Sequence, residues 1–267
     1  MIRPLIKAAM RGTPLIALDY DIEPTPRWGF GKPPHPRLQA LLAERFTDYS
    51  KLLMQIATYR FDFLAIPEQA TSLLEPSRNN DYFSGLDALA LYALLRMRRP
   101  RRYLEIGSGN STRFAARAIR DEGSNTHITS IDPQPRAEID MLAHRIERTS
   151  LENIDQAIFG ELQPGDFLFF DGSHYCLPNS DVVTFFLEIL PELPAGVVVQ
   201  VHDIRLPYDY PPKLKRHWYG EQYILAMYLL SNPQPTVLLP NYFIWEQPKL
   251  RAIVEDIGGG NSFWFVT

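Results

Sequence analysis

Arg102-Tyr103-Leu104-Glu105-Ile106-Gly107-Ser108-Gly109-Asn110-Ser111-Thr112-Arg113-Phe114 joins a short apolar run to a glycine turn and then to the opening of a helix. Tyr103 to Ile106 reads as a buried strand. Gly107 and Gly109 lack a Cβ, so they tolerate positive φ and let the backbone approach a ligand closely. Ser108, Asn110, Ser111 and Thr112 are side chains suited to capping, and Phe114, Ala115, Ala116 and Ala118 give the helix an apolar side. A strand feeding a helix through Gly-x-Gly is the first half of a nucleotide-binding βαβ unit, in which free N–H groups at the helix start face the ligand. The third glycine of the dinucleotide fingerprint is replaced by Thr112, so the turn alone is equally that of an ordinary parallel sheet.

Downstream, strand and helix patterns alternate. Strands are expected at 127–131, weakly near 154–159, at 167–170 and at 197–201, with helices at 111–122, 136–148 and 180–190. Phe167-Leu168-Phe169-Phe170 and Val197-Val198-Val199 are apolar without alternation, as in parallel strands covered on both faces. A helix at 214–231, a strand at 236–239, a short helix near 248–256 and a final aromatic strand at 262–267 close the chain, the last strand able to pair antiparallel with 236–239. Upstream, Leu15 to Leu18 suits a short strand, and Pro24 to Pro36 can only be turns and loop. Residues 38–59 carry helical spacing as one long or broken helix, 60–80 read as loop, and Ser84 caps a helix to Met97. Strand–helix alternation implies a parallel sheet with right-handed crossovers. The fold class is α/β: a Rossmann-like, doubly wound, mostly parallel seven-stranded sheet at 81–267. An N-terminal helical and irregular extension at 1–80 would serve as a cap or an oligomer surface.

Composition narrows the function. The 267 residues carry a net charge of −4, which argues against neutralising nucleic-acid phosphates. The five arginines between Arg96 and Arg102 sit at a helix end, where cations complement the helix dipole. One cysteine, Cys176, builds neither a disulfide framework nor a thiolate metal cluster. No apolar run is long enough to span a bilayer and no convincing signal peptide opens the chain, so a cytoplasmic protein is expected, with neither membrane nor nucleic acid as partner.

In an open α/β sheet, ligands bind beyond the carboxyl ends of the strands. Glu105, Gly107, Ser108 and Gly109 stand at the first such end, Asp132 at the second, Asp171 and His174 after the fourth, and His202 and Asp203 after the fifth. Asp132 is placed to accept both hydroxyls of a ribose; the competing role is to cap the helix expected after Pro133. His174 and His202 are suited to general-base work because imidazole titrates near neutrality; each could equally be a ring bonded to a neighbouring backbone group, Asp171 or Asp203. Trp218 to Tyr223, following a basic, Pro-rich loop, reads either as an acceptor-site wall or as core anchors of the helix it lies on.

Together these motifs resemble the class I S-adenosylmethionine-dependent methyltransferases. Leu104-Glu105-Ile106-Gly107-Ser108-Gly109 looks like their first motif, Ile131-Asp132 like their ribose-binding acid, and Phe170-Asp171-Gly172-Ser173-His174 with Val201-His202-Asp203-Ile204 like their fourth- and fifth-strand motifs. The branch with Asp-Gly-Ser-His and His-Asp-Ile is the nearest in pattern, many of whose members modify sugars or small natural products. The resemblance covers about residues 84–267. It implies S-adenosylmethionine as cofactor, held by Glu105, Gly107, Ser108, Gly109, Asn110, Ser111, Asp132 and Asp171, and a small-molecule acceptor whose hydroxyl is methylated. His174, His202, Asp171 and Asp203 would be the catalytic group. The adenine contact falls by position near Ser150, Leu151 and Glu152. Some relatives hold a divalent metal such as Mg²⁺ at acids after strands four and five; here Asp171 and Asp203 could supply ligands, but His202 stands where a third carboxylate is expected. Association of copies through the N-terminal helices is open. Two other readings remain: an NAD(P)-dependent oxidoreductase or epimerase, disfavoured by the missing third glycine, by Glu105 and by the lack of a Tyr-x-x-x-Lys pair, and a non-catalytic cofactor-binding protein.

Overall fold

The computed structural model describes residue 19 and residues 21–231 and 235–267. The strand expected at Leu15 to Leu18 lies outside the described residues.

Seven strands form one sheet: β1 Arg102–Ile106, β2 His127–Ile131, β3 Arg145–Glu147, β4 Phe167–Phe170, β5 Val198–Val201, β6 Thr236–Pro240 and β7 Phe263–Val266. Their order is β3-β2-β1-β4-β5-β7-β6. The first five pair parallel. β7 inserts antiparallel between β5 and β6, with Val198 opposite Val266 and Pro240 opposite Phe263. The antiparallel last strand is therefore as expected, and it has a second partner, β5.

The helices are α1 Pro36–Ala43, α2 Phe46–Ala57, α3 Arg60–Leu64, α4 Gly85–Arg98, α5 Asn110–Glu122, α6 Asp181–Thr184 (prolonged by a π turn over Phe185–Ile189), α7 Glu221–Ser231, α8 Asn241–Glu246 and α9 Pro248–Arg251. The long N-terminal helix is thus broken into three pieces, the last lying within the expected loop. Leu38, Leu42, Tyr49, Leu53, Ile56 and Phe63 join the same buried cluster as the sheet residues. Phe83 bridges helix and sheet, its ring 6.2 Å from Phe114 and 5.8 Å from Phe169. On another side Phe170 stacks on Phe185 at 4.1 Å. Each such side chain contributes about 1.5–3 kcal/mol on burial.

Three further elements differ from expectation. Residues 136–148 form no helix: their end is β3, which bonds to Thr129–Ile131 of β2, while Ile128 and His144 exchange backbone and ring bonds alongside. Open backbone groups on β2 draw the end of this stretch into the sheet despite its helix-favouring composition. The strand expected near 154–159 is instead a pair of 3₁₀ turns, Leu151–Asn153 and Gln156–Glu161, the second capped by Asp155. Helix α7 likewise begins at Glu221 rather than 214. The arginine run is ion-paired: Arg96 meets Asp62 and Glu122, Arg99 meets Glu122, and Arg102 meets Glu161. No described helix is long and apolar enough to cross a membrane.

Candidate active site

The β1–α5 turn is built by one relay. Gly107 has φ +80°, and a Cβ there would collide with the Asp171 carbonyl oxygen, so only glycine lets β1 and β4 close up at this edge. Gly109 is extended and needs no such freedom. Thr112, buried inside α5, accepts the Gly109 N–H at 3.0 Å and donates its own proton to Glu105. This explains a threonine where a dinucleotide fold carries glycine. Glu105 also accepts from Tyr103 at 3.0 Å and is wholly buried; burial raises its pKa to about 7 against the pull of its donors. Glu105 therefore lies beneath the turn and does not reach the cleft, where the sequence reading had placed it.

Above the turn lies a cleft of about 690 Å³, lined by Gly107, Ser108, Gly109, Asn110, Ser111, Asp132 and Asp171. All the predicted cofactor residues except Glu105 meet there, together with Ser150, Leu151 and Glu152. Asp132 spends one lone pair of each oxygen on backbone, accepting from Ser108 at 2.8 Å and from Gln134 at 2.7 Å. It fixes both the glycine turn and the chain after β2, and its remaining lone pairs are free for hydroxyl donors. The first amides of α5 have no intrahelical acceptor.

A second cleft of about 510 Å³ adjoins the first and shares Tyr82, Arg136 and Asp171 with it. His174, His202, Asp203 and Asp87 line it, so the four predicted catalytic residues do come together. His174 and Asp203 adopt positive φ, +68° and +56°, a costly backbone state for non-glycine residues that concentrates at working sites. His174 is held by a Gly220 N–H bond to its carbonyl at 2.8 Å and by the Tyr219 ring at 4.3 Å. Its Nδ1 lies 2.6 Å from Glu221, while its Nε2 faces Asp203 at 3.7 Å and Asp171 at 3.8 Å. Burial lowers the His174 pKa, but Glu221 and then the two aspartates more than offset it, to about 9. Burial raises Glu221 to about 7 against the pull of His174. The pair titrates as a unit, and both shifts mean that it holds its last proton past neutrality.

His202 is buried with Nε2 3.3 Å from Asp87 and Nδ1 3.6 Å from Asp171. Asp87 also accepts from the Asn241 amide and the backbone of Asn261 and Ser262, at 2.7 to 2.8 Å. Burial lowers the His202 pKa and the facing acids raise it, well above the usual value; burial raises Asp87 and Asp171, and the histidines bring both below the ordinary range.

Asp171, His202 and Asp203 each present one donor atom, all within 4.8 Å of one another, and His202 Nδ1 is buried without a hydrogen-bond partner. An Nε2–H directed at Asp87 would leave the Nδ1 lone pair for a metal, the carboxylate–histidine arrangement of metal sites. The residues thus fit a divalent cation. One imidazole beside two carboxylates suits Mn²⁺ or Zn²⁺ better than Mg²⁺, which prefers all-oxygen ligands.

Two residues here escaped the sequence reading in their roles. Glu221 lies inside the Trp218 to Tyr223 stretch, where the sequence gives it no role of its own. Asp87 was overlooked, although an acid between Leu86 and Leu95 in an otherwise apolar run was the available signal. Trp218 and Tyr223 are substantially exposed, and it is Tyr219 that lines the second cleft. Cys176 is free and exposed.

Residues 104–204 match the family model described as a methyltransferase domain. That segment runs from within β1 to the residues just after β5 and contains every predicted site residue. A search of curated proteins found no match. Among solved structures, the chain is similar to the SAH-bound Podospora anserina methyltransferase PaMTH1, at 15% identity and TM-score 0.41 over 89% of this chain and 97% of that one. It is also similar to cofactor-bound Rv0187 from MTB, at 16% identity and TM-score 0.42 over 88% and 98%. The plantazolicin methyltransferase BpumL in complex with SAH follows at 11% identity and TM-score 0.36 over 86% and 99%.

Proposed function

We propose that this protein is an S-adenosylmethionine-dependent methyltransferase that methylates a hydroxyl oxygen of a small molecule. The observation that carries this is the meeting of two clefts at Asp171: one edged by the glycine turn and Asp132, the other by His174, His202 and Asp203. In the first, Asp132 takes the ribose hydroxyls, Ser150 to Glu152 flank the adenine, and the opening amides of α5 take the methionine carboxylate, since Glu105 is sealed below. In the second, the acceptor oxygen attacks the sulfonium methyl. The C–O bond forms as the C–S bond breaks, the homocysteine nucleoside leaves, and the acceptor proton passes to a base. Holding the two in line supplies much of the rate.

His174 is that base. Glu221 fixes its Nδ1 side and leaves Nε2 toward the acceptor. A ring protonated up to about pH 9 in the free protein becomes a competent acceptor only as pH rises, so turnover climbs from neutrality toward that value. Asp171, His202 and Asp203 would hold a divalent cation, which when bound lowers the pKa of the acceptor hydroxyl. Asp87 orients His202. The test is transfer of labelled methyl to hydroxylated acceptors by wild type, His174→Ala and His202→Ala. A loss of about 10²-fold or more in His174→Ala with S-adenosylhomocysteine binding retained is expected. Undiminished turnover in both variants would remove the histidines from the chemistry.

A further inference from the structure

We propose that the second cleft recognises an acceptor carrying an anionic group, a carboxylate or a phosphate monoester, on a hydroxylated ring, and that Arg205 and Lys213 hold that group. This rests on the methyltransferase reading and specifies its acceptor.

Arg205 and Lys213 line the second cleft and not the first, so the cofactor gives them no work. Elsewhere the chain pairs many of its cations with acids, as at Arg96, Arg99, Arg117, Arg120, Arg145 and Arg148. Neither Arg205 nor Lys213 forms an ion pair among the described residues. Three of the four aspartates lining the cleft face histidines, Asp87 facing His202 at 3.3 Å and Asp203 and Asp171 facing His174 at 3.7 and 3.8 Å, and the fourth, Asp81, forms no ion pair with either cation among the described residues.

Arg205 is also held ready. Its backbone N–H donates to the buried Gln222 side chain at 3.1 Å, and Ile204 before it is bonded to Asn261. The guanidinium carbon stands 5.2 Å from the centre of the Tyr242 ring, yet Nε is buried with no partner. A planar guanidinium beside an aromatic ring, bonded to the Tyr242 hydroxyl but carrying no ion pair, keeps N–H groups for an anion with two oxygens to offer. Arg205 follows Asp203 by two residues on the loop leaving β5, which brings the anion site to the same end of the cleft as the reacting groups. Tyr82, Tyr219, Tyr242 and Trp245 line the same space and offer flat walls for a ring.

Calorimetric titration of the whole protein, with and without saturating S-adenosylhomocysteine, uses three ring-matched probes: 3,4-dihydroxybenzoate, 3,4-dihydroxyphenylphosphonate and the neutral 3,4-dihydroxybenzamide. One of the anions is expected to bind about tenfold or more tighter than the amide. The preference should fall below about threefold in Arg205→Gln and in Lys213→Gln, with amide and S-adenosylhomocysteine affinities unchanged. Which anion wins identifies carboxylate or phosphate. Equal affinity for anion and amide, a preference that survives both substitutions, or no binding of any probe would each overturn the proposal. An anion preference in a protein that does not bind S-adenosylhomocysteine would instead leave the anion site standing and remove the methyltransferase reading.

Discussion

His174 carries two signals at once, a left-handed backbone and a ring pressed between Glu221 and two aspartates. Its pKa in the fold, about 9, lies above the ordinary imidazole value, so the native state binds the proton more tightly than the unfolded chain. The resulting stabilisation is complete below pH ~6.5 and is lost as pH rises through 9. His174→Gln in metal-free buffer should therefore cost on the order of 1–3 kcal/mol at pH 6, and the gap to wild type should narrow toward pH 10. Urea midpoints across that range check this; a gap that widens with pH would contradict it. At Gly107 the demand is steric. A Cβ meets the Asp171 carbonyl where β1 and β4 lie side by side, and both clefts share Asp171. Gly107→Ala should lower S-adenosylhomocysteine affinity about 10²-fold or more and reduce the melting temperature, read by calorimetry and thermal scan.

At the scale of elements, the junction of β1 with α5 depends on Thr112, whose hydroxyl serves Gly109 and Glu105 together. Thr112→Val keeps the volume, leaves the Gly109 N–H without its acceptor and removes one donor from Glu105, so a loss of about 1–3 kcal/mol is expected in urea unfolding, with Thr112→Ser far closer to wild type. Equal stability of the valine and serine variants would show the relay to be incidental. The same scale explains what could be read from the residues. β1, β2, β4 and β5 are short strand-like runs followed by Gly107, Asp132, Asp171 and His202-Asp203, and that pattern has few other solutions in an alternating chain. β3 was hidden because Arg145–Glu147 has no strand character of its own; the exposed edge of β2 makes it a strand. Asp132, Asp171, His174, His202 and Asp203 were legible because strand ends converge. The role of Asp87 was not, since its partners Asn241, Asn261 and Ser262 lie more than 150 residues away.

Over the whole molecule, the segment around Arg27 to His35 is joined to the loop that follows Arg205. The backbone of Arg27 and Trp28 donates to Asp209, the His35 N–H bonds to the Pro207 carbonyl, and Asp209 also accepts from Tyr223. The segment read from sequence as irregular thus pins the loop that follows Asp203 and Arg205. Helices α1, α2 and α3 contribute Leu38, Tyr49 and Phe63 to the sheet's own buried cluster. The described residues therefore support one edge of one sheet, where the two clefts meet. The most direct measurement is calorimetric titration with S-adenosylhomocysteine and, separately, NAD, on wild type and Asp132→Ala. The account predicts micromolar-scale binding of the homocysteine nucleoside, weakened about tenfold or more in the variant, and none of NAD. Binding of NAD in its place, or S-adenosylhomocysteine binding indifferent to Asp132, would contradict it.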